Sequence, residues 1–241
     1  MLHMKSLLTV LAVCAVLLPC SLLSAQATST HPKPTAARPR ARPSLLHPAS
    51  LTAKAPAEFK VSFSTTCGDF VVLVHRDWAP LGADRFYNLV RNGYFTNAAF
   101  FRVIPNFVAQ FGLNANPAVN KVWRDAKIQD DPVKQTNKRG TLVFAMAGPN
   151  TRTTQLFLNF KDNARLDGMG FAPFGEVVQG MENVDKVYPG YGESPQQDLI
   201  VEQGDAYLTK NFRELDKIKL ARVLPATPAP VHPVAHKPAA H

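Results

Sequence analysis

Phe100-Phe101-Arg102-Val103-Ile104-Pro105-Asn106-Phe107-Val108-Ala109-Gln110 sets one arginine and one glutamine among apolar residues. Read as a strand, the run sends Arg102, Ile104 and Asn106 to one face and Phe101 and Val103 to the other. Pro105 has no N–H to give a ladder, so it interrupts the strand and lets residues 107–110 be re-aimed. A guanidinium keeps its proton, which makes Arg102 a poor acid or base. Held beside aromatic and aliphatic walls, the same group is well suited to hydrogen-bonding a neutral carbonyl or amide.

Outward from this run the chain reads as short strands with few helices. Residues 58–66 alternate Phe59, Val61 and Phe63 with Lys60, Ser62 and Ser64, and residues 70–75 give a second strand after the turn at Gly68-Asp69. Residues 80–92 form the clearest helix: Pro80 suits its first turn, Phe86, Leu89 and Val90 make its stripe, and Gly93 can end it. Residues 112–139 read as one long loop, a class that is often functional. Strands are expected at 141–147, 155–160, 174–178 and 217–223, with a short one at 199–201. Helical turns are expected at 181–188 and 206–212, and a loop at 190–197. Many short strands with two or three helices point to an all-β barrel capped by helices.

The ends differ in character. Residues 1–27 read as a secretory signal peptide, with an apolar stretch over 7–18 and small residues at Ala25 and Ala27. Residues 28–56, rich in Pro and Ala with Arg38, Arg40 and Arg42, read as a disordered linker, and residues 224–241 as a disordered Pro/Ala/His tail. The expected folded domain is 57–223. Of the net charge of +9, residues 58–223 hold only +2, from 20 Lys and Arg against 18 Asp and Glu. A near-neutral domain argues against a nucleic-acid groove, while the basic linker suits weak, salt-dependent contact with an anionic envelope surface. Cys14 and Cys20 leave with the signal, so Cys67 stands alone without an internal disulfide partner and reads as a turn residue. No histidine, cysteine or carboxylate spacing calls for a metal, and no motif calls for a cofactor. Nothing demands more than a monomer.

Two further runs, residues 144–159 (FAMAGPNTRTTQLFLN) and 166–177 (LDGMGFAPFGEV), follow the first in order. All three together resemble the cyclophilins, the barrel-shaped peptidyl-prolyl cis-trans isomerases, in register over most of residues 58–223. The resemblance implies a closed eight-stranded antiparallel barrel capped by two helices, and proline-containing polypeptides as partners. It implies a catalytic set of Arg102, Phe107 and Gln110, the arginine donating to the twisted amide and the glutamine holding the arginine and substrate. Val108, Phe157 and Leu166 would line the proline pocket with Phe107. Ala145, Met146 and Ala147 would meet the peptide backbone, with Gln155 beside the groove. Phe171 falls where a histidine or tyrosine is usual, Val108 where a methionine is common, and Phe111 follows the glutamine in place of a glycine, so the next loop should run differently. Arg165 takes the place of a tryptophan that contacts cyclosporin, which predicts weak affinity for that drug.

By residue type alone, Phe107, Phe157 and Leu166 serve equally as barrel core, Arg102 as a surface arginine packed by its stem, and Gln110 as a solvated strand end. The register of the three runs is what assigns them site roles. With the signal-like start, the expected activity is isomerisation of X–Pro bonds in exported or envelope proteins, in the periplasm or outside the cell. The alternatives are a proline-segment-binding chaperone or scaffold with little turnover, and a small-ligand barrel with an enclosed cavity.

Overall fold

The computed structural model describes residues 43–225. The signal expected over 1–27, residues 28–42 of the linker and residues 226–241 of the tail lie outside them. Strand β1 (Glu58–Thr65) buries every second residue, Phe59, Val61, Phe63 and Thr65. It pairs with β2 (Phe70–His75) so that Phe63 faces Phe70. The turn between them needs Gly68: its φ is +121°, and a Cβ there would lie 2.5 Å from Asn183 Cγ. Helix α1 (Pro80–Arg91) buries Phe86, Leu89 and Val90. No side chain of its own caps it; the Asp131 carboxylate accepts from Leu81 N and Gly82 N at 3.0 and 2.8 Å instead.

β3 (Ala98–Ala99), β4 (Arg102–Ile104) and β5 (Val108–Phe111) follow. Helix α2 (Pro117–Trp123) lies inside the stretch expected to be one loop. Its start is well marked, with Pro117 in the first turn and the Asn116 side chain accepting from Ala118 N at 2.9 Å. At this length the apolar periodicity is too brief to stand out among polar neighbours. β6 (Thr141–Phe144), β7 (Leu156–Asn159), β8 (Pro173–Gln179) and β9 (Lys217–Val223) complete the sheet, with α3 (Met181–Val184), α4 (Gln197–Gln203) and α5 (Asp205–Asn211) between the last two strands. The short strand expected at 199–201 is a turn of α4. Three apolar residues fit either period, and the backbone bonds Ile200 N to Gln196 O (3.1 Å) and Gly204 N to Ile200 O (2.8 Å) make the segment helical.

All strand pairs are antiparallel, in the order β3-β9-β1-β2-β8-β6-β7-β5-β4. The expected closed eight-stranded barrel capped by two helices is therefore corrected to a nine-stranded sheet, open between β3 and β4, with five α-helices among the described residues. The opening falls at Phe100 and Phe101, which separate β3 from β4 and bury their rings in two different clusters.

The concave side is filled by rings. Phe63 stacks on Phe70 with centroids 4.7 Å apart, and Phe86, Phe95, Phe111, Phe144 and Phe174 continue the cluster. Each buried ring stabilises the fold by about 1.5–3 kcal/mol. A filled interior is at odds with the small-ligand barrel. Phe111 belongs to this cluster as the last residue of β5, and the chain turns only at Gly112, whose φ is +106°.

The disordered linker expected over 28–56 is corrected for residues 43–56. Two 3-10 turns, Pro43–Leu46 and Pro48–Ser50, lead to a packed segment. Leu45 is 4% exposed, and its carbonyl accepts from Trp123 Nε1 at 2.8 Å. Asn88 donates to Ala53 O and accepts from Ala53 N, at 2.7 and 3.2 Å. The Pro/Ala composition hid these anchors, because a segment lying on a finished core needs only a few buried side chains, here Leu45 and Ala55, and a few backbone bonds.

Candidate functional site

Pro105 does more than interrupt a strand. With Asn106 at φ +57° and Phe107 N donating to Ile104 O at 3.0 Å, it makes a tight turn with proline second and a left-handed residue third, the pattern of a type II turn. The resulting hairpin pairs Arg102 with Gln110 across the strands. Side chains directly opposite share a face, so arginine and glutamine emerge together.

From that pair a chain of polar side chains crosses the sheet surface. Arg102 Nη1 donates to Gln110 Oε1 at 3.3 Å, Gln110 Nε2 to Gln155 Oε1 at 2.8 Å, and Gln155 Nε2 to Gln197 Oε1 at 3.0 Å. On its other side Arg102 holds Glu193: Nε and Nη2 lie 2.6 and 2.5 Å from Oε1. Three of the five guanidinium N–H groups are thus engaged, leaving one on each Nη for a ligand.

Beside the arginine lies a small apolar cluster separate from the main core, built on Val108, Val143, Phe157 and Leu166, with Phe107, Ala145 and Phe171 packed against it. It walls a cavity of about 160 Å³ whose lining comprises Arg102, Phe107, Val108, Gln110, Ala145, Met146, Phe157, Leu166 and Phe171. Phe171 meets Phe157 edge-on at 5.7 Å, closing one side. An adjoining cavity of about 200 Å³ shares Gln110, Ala145 and Met146 and adds Ala147, Gln155, Thr151, Thr153 and Gln197. The two form one groove, apolar at one end and polar at the other. Every residue that the sequence nominated lies on it.

One expectation about backbone pairing needs correction. β6 ends at Phe144, so residues 145–147 are not a strand edge. Ala145 N already donates to Gln155 O, and Ala147 N to Thr151 Oγ1, both at 2.9 Å. Of the three amides, that of Met146 alone has no bond recorded among the described residues.

Phe107 is fixed from behind. Its carbonyl accepts from Phe160 N at 2.9 Å and Asn163 Nδ2 at 3.1 Å. Asn163 also donates to Asn159 Oδ1, Asn159 to Asn137 Oδ1, and Asn137 to Asp167 Oδ1, at 2.8, 3.2 and 2.7 Å. Asp167 and Asp131, which look like loop acids in the sequence, thus support the pocket and α1 respectively.

Chemically the arrangement offers a permanent cation with two spare donors, a largely apolar notch of about 160 Å³, and polar groups for a flanking chain. It suits recognition and stabilisation of a neutral amide. No sequence motif marks Glu193 or Gln197 as part of the site. Both sit in or just after the loop 190–197, which the Val103 N to Gly192 O bond (3.3 Å) brings against β4. No local pattern announces such a contact; the only available signal was an acid in a loop facing a chain that needed a partner for its arginine.

Residues 60–204 match the family described as cyclophilin type peptidyl-prolyl cis-trans isomerase/CLD. The chain is 34% identical over 163 residues to peptidyl-prolyl cis-trans isomerase B of Escherichia coli (strain K12), covering 59% of this chain and 96% of that one. It is 32% identical over 142 residues to a peptidyl-prolyl cis-trans isomerase of Acinetobacter baylyi, covering 57% and 76%. Among solved structures, a cyclophilin type isomerase of Cryptosporidium parvum shares the fold with a TM-score of 0.55 at 20% identity, covering 70% of this chain and 99% of that one. A second structure of that protein, in the presence of the dipeptide Ala-Pro, gives 0.51 at 21% identity, covering 69% and 99%.

Proposed function

Because the chain belongs to the cyclophilin-type peptidyl-prolyl cis-trans isomerases, we propose that it rotates X–Pro bonds of polypeptides outside the cytoplasm, with Arg102 as the donor to the twisted amide. The isomerase activity follows from the family. The observation that carries the roles is the joint placement of Arg102, Gln110 and the notch bounded by Phe107, Phe157, Leu166 and Phe171.

Resonance holds the amide planar behind a barrier of about 18–20 kcal/mol. Twisting the bond localises the nitrogen lone pair and makes that nitrogen a better acceptor. Gripping the proline ring in the notch leaves the preceding residue to rotate. A spare N–H of Arg102, aimed at the amide as it leaves planarity, stabilises the twisted state more than the planar one. One such donor is worth about 3–4 kcal/mol. Gln110 and Glu193 hold the guanidinium so that it need not reorganise during rotation.

The extracytoplasmic site of action is supported by the apolar start and small-residue cleavage pattern of residues 1–27. Weak contact of Arg38, Arg40 and Arg42 with an anionic envelope surface accords with a tether of that charge. Folding assistance to exported chains and a monomeric state belong to the same proposal. Two measurements test it. Fused to a reporter active only after export, residues 1–27 should give signal, and an inactive fusion rejects the location. On a proline peptide followed by NMR exchange, the protein lacking residues 1–27 should speed interconversion; binding without acceleration would favour the chaperone reading instead.

A further inference from the structure

Two guanidinium groups flank Phe107, that of Arg102 at 6.0 Å from the ring centroid and that of Arg165 at 5.0 Å. Their charges are treated differently. Arg102 is matched by Glu193 at 2.5 Å. Arg165 is exposed, and its ring contact with Phe107 is its sole recorded side-chain interaction among the described residues. The acids nearest to it in the chain are turned elsewhere: Asp162 accepts from Arg139 N at 2.8 Å, and Asp167 from Asn137 N and Nδ2 at 2.9 and 2.7 Å. Arg165, over the Phe107 wall of the apolar notch, therefore holds a positive charge with no ion pair among the described residues. The aromatic face under it holds that charge in place, so less side-chain entropy is lost when an anion arrives.

The position along the groove is also defined. Phe107 and Leu166 line the apolar notch and are absent from the polar cavity, which meets the notch through Gln110, Ala145 and Met146. Arg165 precedes Leu166 and lies over Phe107, so it stands at the end of the groove away from the polar cavity. A peptide whose proline fills the notch, with one flank in the polar cavity, carries its other flank past Arg165.

We propose that Arg165 is a specificity-determining residue that makes this groove prefer prolines flanked by an acidic side chain on the Phe107 side. The proposal rests on the isomerase reading of the same groove and names its substrate class. An exposed pairing of this kind changes rates by about two- to five-fold, and salt weakens it.

The test uses one peptide frame with Glu, Gln or Lys placed either directly before or directly after the proline, and kcat/KM measured by NMR exchange. At one of the two positions the wild-type order should be Glu above Gln above Lys, with about two- to five-fold between Glu and Gln. Arg165→Gln should flatten the order, Arg165→Glu should invert it, and raised salt should compress it. The same rates for all charges at both positions, or an order that survives Arg165→Gln, overturns the proposal. Acceleration of the Gln peptides without any order leaves the isomerase reading standing while this one falls. No acceleration of any peptide defeats both.

Discussion

Arg102 and Glu193 are 91 residues apart in the chain, yet Nε and Nη2 of the arginine both converge on one carboxylate oxygen of the glutamate. The pair fixes the guanidinium plane from one side while Gln110 holds it from the other. Glu193 is largely exposed, with 62% of its side chain accessible, so the pair adds little to stability, at most about 1 kcal/mol. Its effect is on geometry.

Replacing Glu193 by Gln should therefore lower kcat by about three- to ten-fold with KM nearly unchanged, because the notch still grips the ring while the donor is less well aimed. Steady-state rates and a thermal melt of the same protein check this. A kcat equal to or above that of the parent would mean that the carboxylate holds the arginine back.

Arg102→Ala should reduce kcat/KM by about 10²–10³-fold and leave the melting temperature within a few degrees, since the ion pair it loses is to the largely exposed Glu193. Arg102→Lys should recover only part of the loss, because a point charge cannot bond Glu193 and Gln110 and still present a flat donor edge. Equal rates for the parent and alanine proteins would remove the arginine from the mechanism.

Asp84 links three parts of the fold. Burial alone would raise its carboxyl, but hydrogen bonds from Arg76 and from Ala55 N, both at 2.8 Å, outweigh that and hold it below the ordinary value. A depressed folded pKa contributes stability that is complete above the unfolded value of about 4 and is lost as pH falls from there through the folded value. Unfolding free energy measured from pH 6 to pH 2 should fall in that window, and Asp84→Asn should flatten the slope. A slope unchanged in the variant would assign the acid sensitivity to other carboxylates.

Residues 43–56 behave as part of the domain. Leu45→Ala should cost about 2–4 kcal/mol in denaturant unfolding, from lost burial and the cavity left beside Trp123. A cost below about 0.5 kcal/mol would mean that this segment does not pack in solution.

Burial pushes the Cys67 thiol up, and its bond with Thr65 only partly offsets this. Alkylation at pH 7 should be slower than for a free thiol compound and should speed up on unfolding. Equal rates in the folded and unfolded protein would contradict the burial.

Phe59, Val61 and Phe63 announce β1 through strict alternation, and α1 is legible from Pro80 and its Phe86–Leu89–Val90 stripe. Such elements are readable because burial of one face imposes a period on local sequence. α2 escaped because its signal is a cap and a proline over few residues, and residues 199–201 misled because a three-residue apolar run has no period. Leu45 was hidden because the side chains that anchor its segment, Trp123 on its carbonyl and Asn88 on Ala53, lie far along the chain.

The sequence by itself nominated part of the groove, since Arg102, Gln110, Phe157 and Leu166 are carried by ordered local runs. Tertiary structure alone decided that Glu193 and Gln197 join them, that the amides of Ala145 and Ala147 are already bonded, and that the sheet stays open between β3 and β4. The division has one physical reason. Periodicity and turn chemistry act between residues a few positions apart, whereas an ion pair across 91 residues, or the choice of cluster for Phe100 and Phe101, is fixed only when the whole chain competes for the same space.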